Sequence, residues 1–277
     1  MINNRINKRF SQLKEQNRSG LVAFITANDP TPEVFEEILN GLSSSGADII
    51  EVGIPFSDPM ADGPSVQRSS QRALDVGFNF DQLFLQIKAM RRLDSETPII
   101  LMGYYNLIYN YGPERFSIAA SNVGVDGVIV VDLPPEESEE LTTHLLAYDL
   151  QMIYLLAPTT DFERLSVILE RANGFLYYVA IKGVTGTRSP DSEEVNERIN
   201  LIKRKTNLPI AVGFGIKSAE QASKIALFAD AVVVGSAIVD VISDALEATD
   251  RKDLEISSKV LKFVKLLSDG VVSARIV

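Results

Sequence analysis

Cysteine is absent from the 277 residues, which removes disulfides, thiolate nucleophiles and cysteine-held metal sites together. Histidine occurs once, as His144 in EELTTHLLAYDL, within an amphipathic helical pattern that places it at a surface or boundary. The chain therefore lacks the residues for a histidine-rich zinc site or a Ser-His-Asp triad, and acid–base work falls to carboxylate, lysine or tyrosine. No apolar run approaches the ~20 residues of a membrane span. Basic residues are outnumbered, leaving a net charge of −10. That balance excludes general nucleic-acid binding, which needs a basic surface facing phosphates. An anionic substrate has to be held locally, by backbone N–H groups or a few basic side chains.

The N-terminal stretch MINNRINKRFSQLKEQ has four basic residues but no apolar signal core. Ile6, Phe10 and Leu13 fall at helical spacing, so it reads as a docked amphipathic helix, with a short organellar transit peptide as the weaker alternative. A cytoplasmic location is expected, with the plastid stroma as the second choice.

Eight short apolar, β-branched runs recur along the chain: LVAFITA (21–27), DIIEV (48–52), PIILMG (98–103), GVIVV (127–131), MIYLLA (152–157), FLYYVA (175–180), PIAVG (209–213) and AVVVG (231–235). They are continuous rather than alternating, the mark of parallel strands buried on both faces. Helical patterns separate them. Pro32 and Pro64 open two helices at a position where proline sacrifices no hydrogen bond, and Gly77 closes the second. Ser218 and Gln221 suggest a capping box. Strand–helix alternation implies right-handed βαβ units, and eight of them predict a single-domain (β/α)₈ TIM barrel spanning residues 1–277. An extra N-terminal helix and an extra helix between strands two and three (81–92) complete it.

Such barrels place their chemistry on the loops after the strands. Three of those loops carry glycines: GVTGTR (183–188), GFG (213–215) and GSA (235–237). Glycine lets a backbone approach an anion closely, so their coincidence at adjacent barrel positions predicts a phosphorylated substrate. Taken singly, each is ordinary turn chemistry. Ser236 serves the phosphate or simply caps the following helix, and Arg188 is best read as a solvated loop residue. After strand two comes EVGIPFSDPMADGP (51–64), with three carboxylates and three prolines in fourteen residues.

That motif, with FITANDP (24–30), MGYYN (102–106), DGVIVVDLPPEE (126–137), LAPTT (156–160), GVTGTR, GFGIKS (213–218) and GSAIV (235–239), resembles the tryptophan synthase alpha chain family. The resemblance implies an α/β barrel that cleaves indole-3-glycerol phosphate to indole and glyceraldehyde 3-phosphate, in tryptophan biosynthesis, without a metal or cofactor of its own. It places the catalytic carboxylates at Glu51 and Asp62, and the phosphate contacts at Gly186, Phe214, Gly215, Gly235 and Ser236. Phe24, Tyr104, Tyr177 and Phe214 match the indole pocket. A pyridoxal-phosphate beta chain in an α₂β₂ assembly is implied as partner, with Asp58, Pro59 and Asp132 beside it. On the residues alone, Asp58 is a turn former and Asp132 a helix cap. Asn28 stands where the family usually has glycine, and asparagine tolerates positive φ. Leu107 and Ala180 replace a common proline and serine.

The chemistry is coherent without the family. Splitting the bond from ring C3 to the glycerol chain needs one carboxyl as acid and base, and a second beside the ring nitrogen. Glu51, flanked by Val52 and Ile54 at the barrel mouth, is expected to hold its proton through desolvation. Two rivals remain: a Schiff-base aldolase using Lys182 on a sugar phosphate, and a mainly allosteric subunit without lyase activity.

Overall fold

The computed structural model of the chain describes residues 4–180, 192–213, 215–248 and 253–275. All eight apolar runs form strands, and the fifth is broken, giving nine segments: β1 (Gly20–Thr26), β2 (Ile49–Gly53), β3 (Ile99–Gly103), β4 (Gly127–Val130), β5 (Gln151–Met152), β6 (Tyr154–Leu156), β7 (Leu176–Val179), β8 (Ile210–Gly213) and β9 (Ala231–Val234). Every pairing is parallel, in the order β5-β4-β3-β2-β1-β9-β8-β7-β6. Only Ile153 parts β5 from β6, and its N–H donates to the Val128 carbonyl at 2.9 Å. The two segments are thus one stave, and the sheet curls into a nearly closed eight-staved barrel.

Twelve α-helices are seen among the described residues. They are α1 (Arg5–Glu15), α2 (Pro32–Gly41), α3 (Pro64–Asp75), α4 (Phe80–Leu93), α5 (Tyr105–Tyr111), α6 (Pro113–Val123), α7 (Glu139–Ala147), α8 (Phe162–Arg171), α9 (Ser192–Lys203), α10 (Ala219–Ala226), α11 (Ser236–Glu247) and α12 (Asp253–Ser273). The expected starts hold. Thr31 caps α2 ahead of Pro32, and α3 begins at Pro64 and ends just before Gly77 at φ +83°. Ser218 caps α10 by accepting from Gln221 N, while Gln221 reaches back to Lys217 N at 2.7 Å, one residue before the usual capping-box donor. Asn28 has φ +63°, as asparagine in place of glycine allows.

Strand alternation divides the core in two. Outward residues such as Ile50, Val52, Leu101 and Val212 pack beneath the helices. Inward residues Val22, Ile49, Ile100, Ile129, Phe175 and Ala231 form a second cluster at the strands' N-terminal end, with Ile6, Phe10 and Leu13 of α1. Helix α1 is therefore a stopper in the bottom of the barrel. The Phe10 and Phe175 rings meet at 5.4 Å between centroids. Around this rim the residue just before β2, β4 and β9 is an aspartate. Asp48 accepts from Leu21 N, Asp126 from Ile99 N and Asp230 from Ile210 N, each at 2.8–2.9 Å, and each also holds a basic side chain. With its floor sealed, the barrel is open for chemistry only at its other end.

Candidate active site

Glu51 lies within β2, in register with Phe24 of β1 and Ile100 of β3. The sequence places the strand's end at this acid, but pairing continues to Gly53, so Glu51 sits inside the barrel rather than at its mouth. It is 1% exposed, and neither carboxyl oxygen finds a hydrogen-bond partner among the described residues. Burial, and secondarily the charge of Asp62, raise its pKa to about 8. A carboxyl in this setting is protonated near neutral pH.

The loop after β2 carries the other two acids. It folds as successive tight turns, with Met60 N donating to Asp58 O at 2.8 Å and Asp62 N to Pro59 O at 3.0 Å. Asp58 is exposed and accepts from the Ser57 hydroxyl at 2.5 Å, and its turn is closed by its backbone carbonyl rather than its side chain. Pro59 is half-buried beside it, and Met60 is 84% exposed. Asp62 instead turns inward, lining a narrow cleft with Phe24, Ile54, Met102, Tyr104 and Val131. Burial raises its pKa to about 6, opposed by a hydrogen bond from the Tyr104 hydroxyl.

Tyr104 does more than the apolar pocket role its position suggests. Its hydroxyl accepts from Ala61 N at 3.0 Å, so it holds both the loop backbone and the Asp62 carboxylate. Its ring lies 5.1 Å from that of Phe56. The next residue is anchored too: Tyr105 N, at the start of α5, donates to Asp132 Oδ1 at 2.8 Å. Asp132 is therefore a helix cap supplied from the end of the neighbouring stave. A tyrosine rather than phenylalanine at 104 was the available signal for this hydroxyl, and sequence reasoning passed over it.

Aromatic rings fill the inner wall, and glycines leave room for them. A Cβ on Gly53 would stand 2.5 Å from Phe24 Cζ, and one on Gly235 would stand 3.3 Å from Phe24 Cδ1. Tyr177 lies against Gly213 in the same way, its hydroxyl 3.2 Å from where a Cβ would be. Burial, then the charges of Glu51 and Asp62, push the Tyr177 hydroxyl well above the ordinary tyrosine range, so it stays protonated. Phe24, Glu51, Asp62, Tyr104 and Tyr177 thus converge on one end of the barrel.

Beside them β9 runs into Gly235, the N-cap of α11, with Ser236 as the first helical residue. Ser236 is therefore not the cap, and no side chain bonds the first turn. Ile238 N already donates to Gly235 O at 2.9 Å, and the N–H groups of Ser236 and Ala237, ahead of it in the first turn, make this an anion site in waiting. Gly215 follows β8 at φ +63° with open space beside its Cα. Gly186, Phe214, Lys182 and Arg188 lie outside the described residues. Among the described residues no group of three histidines or acids is placed to hold a metal ion, and no helix is long and apolar enough to cross a membrane.

Comparison with known proteins agrees with this fold. The family model described as tryptophan synthase alpha chain matches residues 10–268. The tryptophan synthase subunit alpha of Legionella pneumophila str. Paris is 41% identical, with a TM-score of 0.87 over 96% of this chain and 98% of that one. A chain in a structure of Mycobacterium tuberculosis tryptophan synthase is 30% identical, with a TM-score of 0.86 over 97% of this chain and 98% of its own. Alpha chains of this kind carry no cofactor, pyridoxal phosphate being on the beta chain. The chain belongs to the tryptophan synthase alpha chain family, which cleaves indole-3-glycerol phosphate.

Proposed function

We propose that this chain performs that cleavage with Glu51 as acid and base and Asp62 as partner of the ring nitrogen. One observation carries the assignment. Two carboxyls lie close enough for the charge of Asp62 to act on Glu51, and their pKa values are pushed to different heights, about 8 for Glu51 and about 6 for Asp62. At pH 7 the first is an acid and the second an anion.

The steps follow from those charges. Protonated Glu51 gives its proton to C3 of the indole ring, leaving an iminium cation whose N–H donates to Asp62. Glu51, now a carboxylate, takes the proton of the adjacent side-chain hydroxyl. The O–H electron pair becomes the new C=O bond, and the C3–carbon bond breaks. Its electron pair returns to the ring and neutralises the iminium, so indole and the aldehyde leave with Glu51 protonated again. Phe24, Tyr104 and Tyr177 wall the ring, and Phe214 is assigned with them. The phosphate sits on N–H groups at Gly215, Gly235 and Ser236, with Gly186 and Phe214 contributing.

The reading extends to a beta-chain partner in an α₂β₂ assembly, in the cytoplasm, with the chain acting as one domain. Exposed Asp58 and Met60, with half-buried Pro59 between them, on the loop that ends at Asp62 provide the docking surface, with Asp132 behind it. Partner contact there presses on the segment that sets Asp62. Lys182, the candidate Schiff-base lysine, lies outside the described residues, and a purely allosteric subunit would not need both acids in place.

Two measurements test the proposal. Turnover of indole-3-glycerol phosphate should be detectable with the chain alone and rise when a beta chain is added. No turnover in either case would refute it. The pH profile of kcat/KM should be bell-shaped, because cleavage requires Asp62 ionised and Glu51 protonated. Its acid limb belongs near 6 and its alkaline limb near 8. A flat profile between these values and pH 10 would remove Glu51 as the proton donor.

A further inference from the structure

The carboxylate end and the phosphate end of the site stand on different helices, and the half-buried side chain of Arg72 joins them. Helix α3 follows directly from the Asp62 loop, and Gln67 Nε2 donates back to Asp62 O at 2.8 Å. Midway along, the Ser69 hydroxyl meets Thr26 Oγ1 of β1 at 2.6 Å in a buried contact. Near its far end Arg72 forks onto Asp29, just past β1, with Nε to Oδ1 at 2.6 Å and Nη2 to Oδ2 at 2.8 Å. The third nitrogen, Nη1, donates to Ser243 Oγ on α11 at 3.1 Å. The side chain of Asp29 is fully buried, so its carboxylate depends on this partner. Helix α11 is the one whose first turn carries Gly235 and Ser236.

We propose that Arg72 is a positioning residue that sets the spacing between Asp62 and the phosphate-binding turn of α11, using Asp29 as its anchor and Ser243 as its reach. The inference rests on the reaction assignment above. Arginine is suited to the task because its planar fork occupies both Asp29 oxygens and leaves a donor over for a third element. Lysine keeps the charge but not the geometry. The nearby Arg68–Asp240 pair also crosses from α3 to α11, at 3.8 Å between exposed side chains, and fixes little.

A spacing device acts on a substrate that spans both ends, and not on fragments that occupy one end. The test therefore compares Ser243→Ala and Arg72→Lys with the unaltered protein, measuring kcat/KM for indole-3-glycerol phosphate and, separately, the Kd of indole and of glycerol 3-phosphate. Ser243→Ala, which keeps the Arg72–Asp29 pair, should lower kcat/KM about tenfold through misalignment while each fragment binds within about twofold of normal. Arg72→Lys should go further in the same direction. If it fails to fold, the Ser243 variant still decides the question. Unchanged kcat/KM with only a lowered Tm would overturn the proposal, as would loss of affinity for a single fragment, which signals local damage. Absence of turnover in the unaltered protein would instead sink the reaction assignment itself.

Discussion

Glu51→Gln is expected to eliminate cleavage and at the same time make the protein more stable at alkaline pH. A positioned acid–base group contributes roughly 10²–10⁴-fold to rate, and here one group serves both proton transfers, so a loss near the top of that range is expected. Glutamine keeps the shape of the side chain but can neither give nor take the proton. The stability change follows from the same burial. Glu51 titrates near 8 in the fold against an ordinary value of 4.5. Below the ordinary value both folded and unfolded chains hold the proton, and nothing is lost. Between the two values the unfolded chain ionises while the folded one stays neutral, so stability drains away as pH rises. Above the folded value the loss is complete, on the order of a few kcal/mol. Glutamine has no charge to bury and escapes it. Melts at pH 5 and pH 9 should show the variant close to the parent at the lower pH and several degrees above it at the higher. Equal Tm differences at both pH values would mean that Glu51 is not desolvated as described.

Asp62→Asn is the second large effect, expected to slow cleavage by roughly 10²–10³-fold while leaving KM much less altered. Asparagine can still accept the ring N–H through its carbonyl. What it lacks is the negative charge that opposes the iminium cation, and that charge matters only once the proton has reached C3. The loss therefore belongs to kcat. A second consequence separates this account from simple disruption of the loop. Asp62 is one of the two causes of the raised Glu51 pKa. Removing its charge should move the alkaline limb of the residual activity below its parental position near 8, since Glu51 then gives up its proton more readily. The Tyr104 hydroxyl still accepts from Ala61 N, so the loop stays in place. Substantial turnover by this variant, or an alkaline limb that does not move, would place the ring nitrogen's partner elsewhere.

Much of this was legible in the chain itself. Continuous apolar runs marked all eight staves, because a strand covered on both faces leaves no room for alternation. Ile6, Phe10 and Leu13 announced a docked helix, although nothing in their spacing revealed that it would stopper the barrel floor. The two acids of the 51–64 loop were separable from Asp58 through family resemblance, and the geometry separates them again: Asp58 is exposed, Asp62 lines the cleft and Glu51 is buried. Less legible were the β2 extension to Gly53, the break at Ile153 and the hydroxyl of Tyr104. Asp29 stood within a quoted motif, yet no reading of the sequence assigned it a partner.

The sequence by itself determined the barrel class, the order of its elements and the residue types available for proton transfer, since these depend on periodicity, turn chemistry and composition along a few neighbouring positions. Only the tertiary structure decided how those residues behave. The proton affinity of Glu51 comes from walls contributed by other staves. The strut pairs Arg72 with Asp29 across 43 positions and with Ser243 across 171. Desolvation and long-range pairing depend on which distant segments meet, and that is settled when the sheet closes.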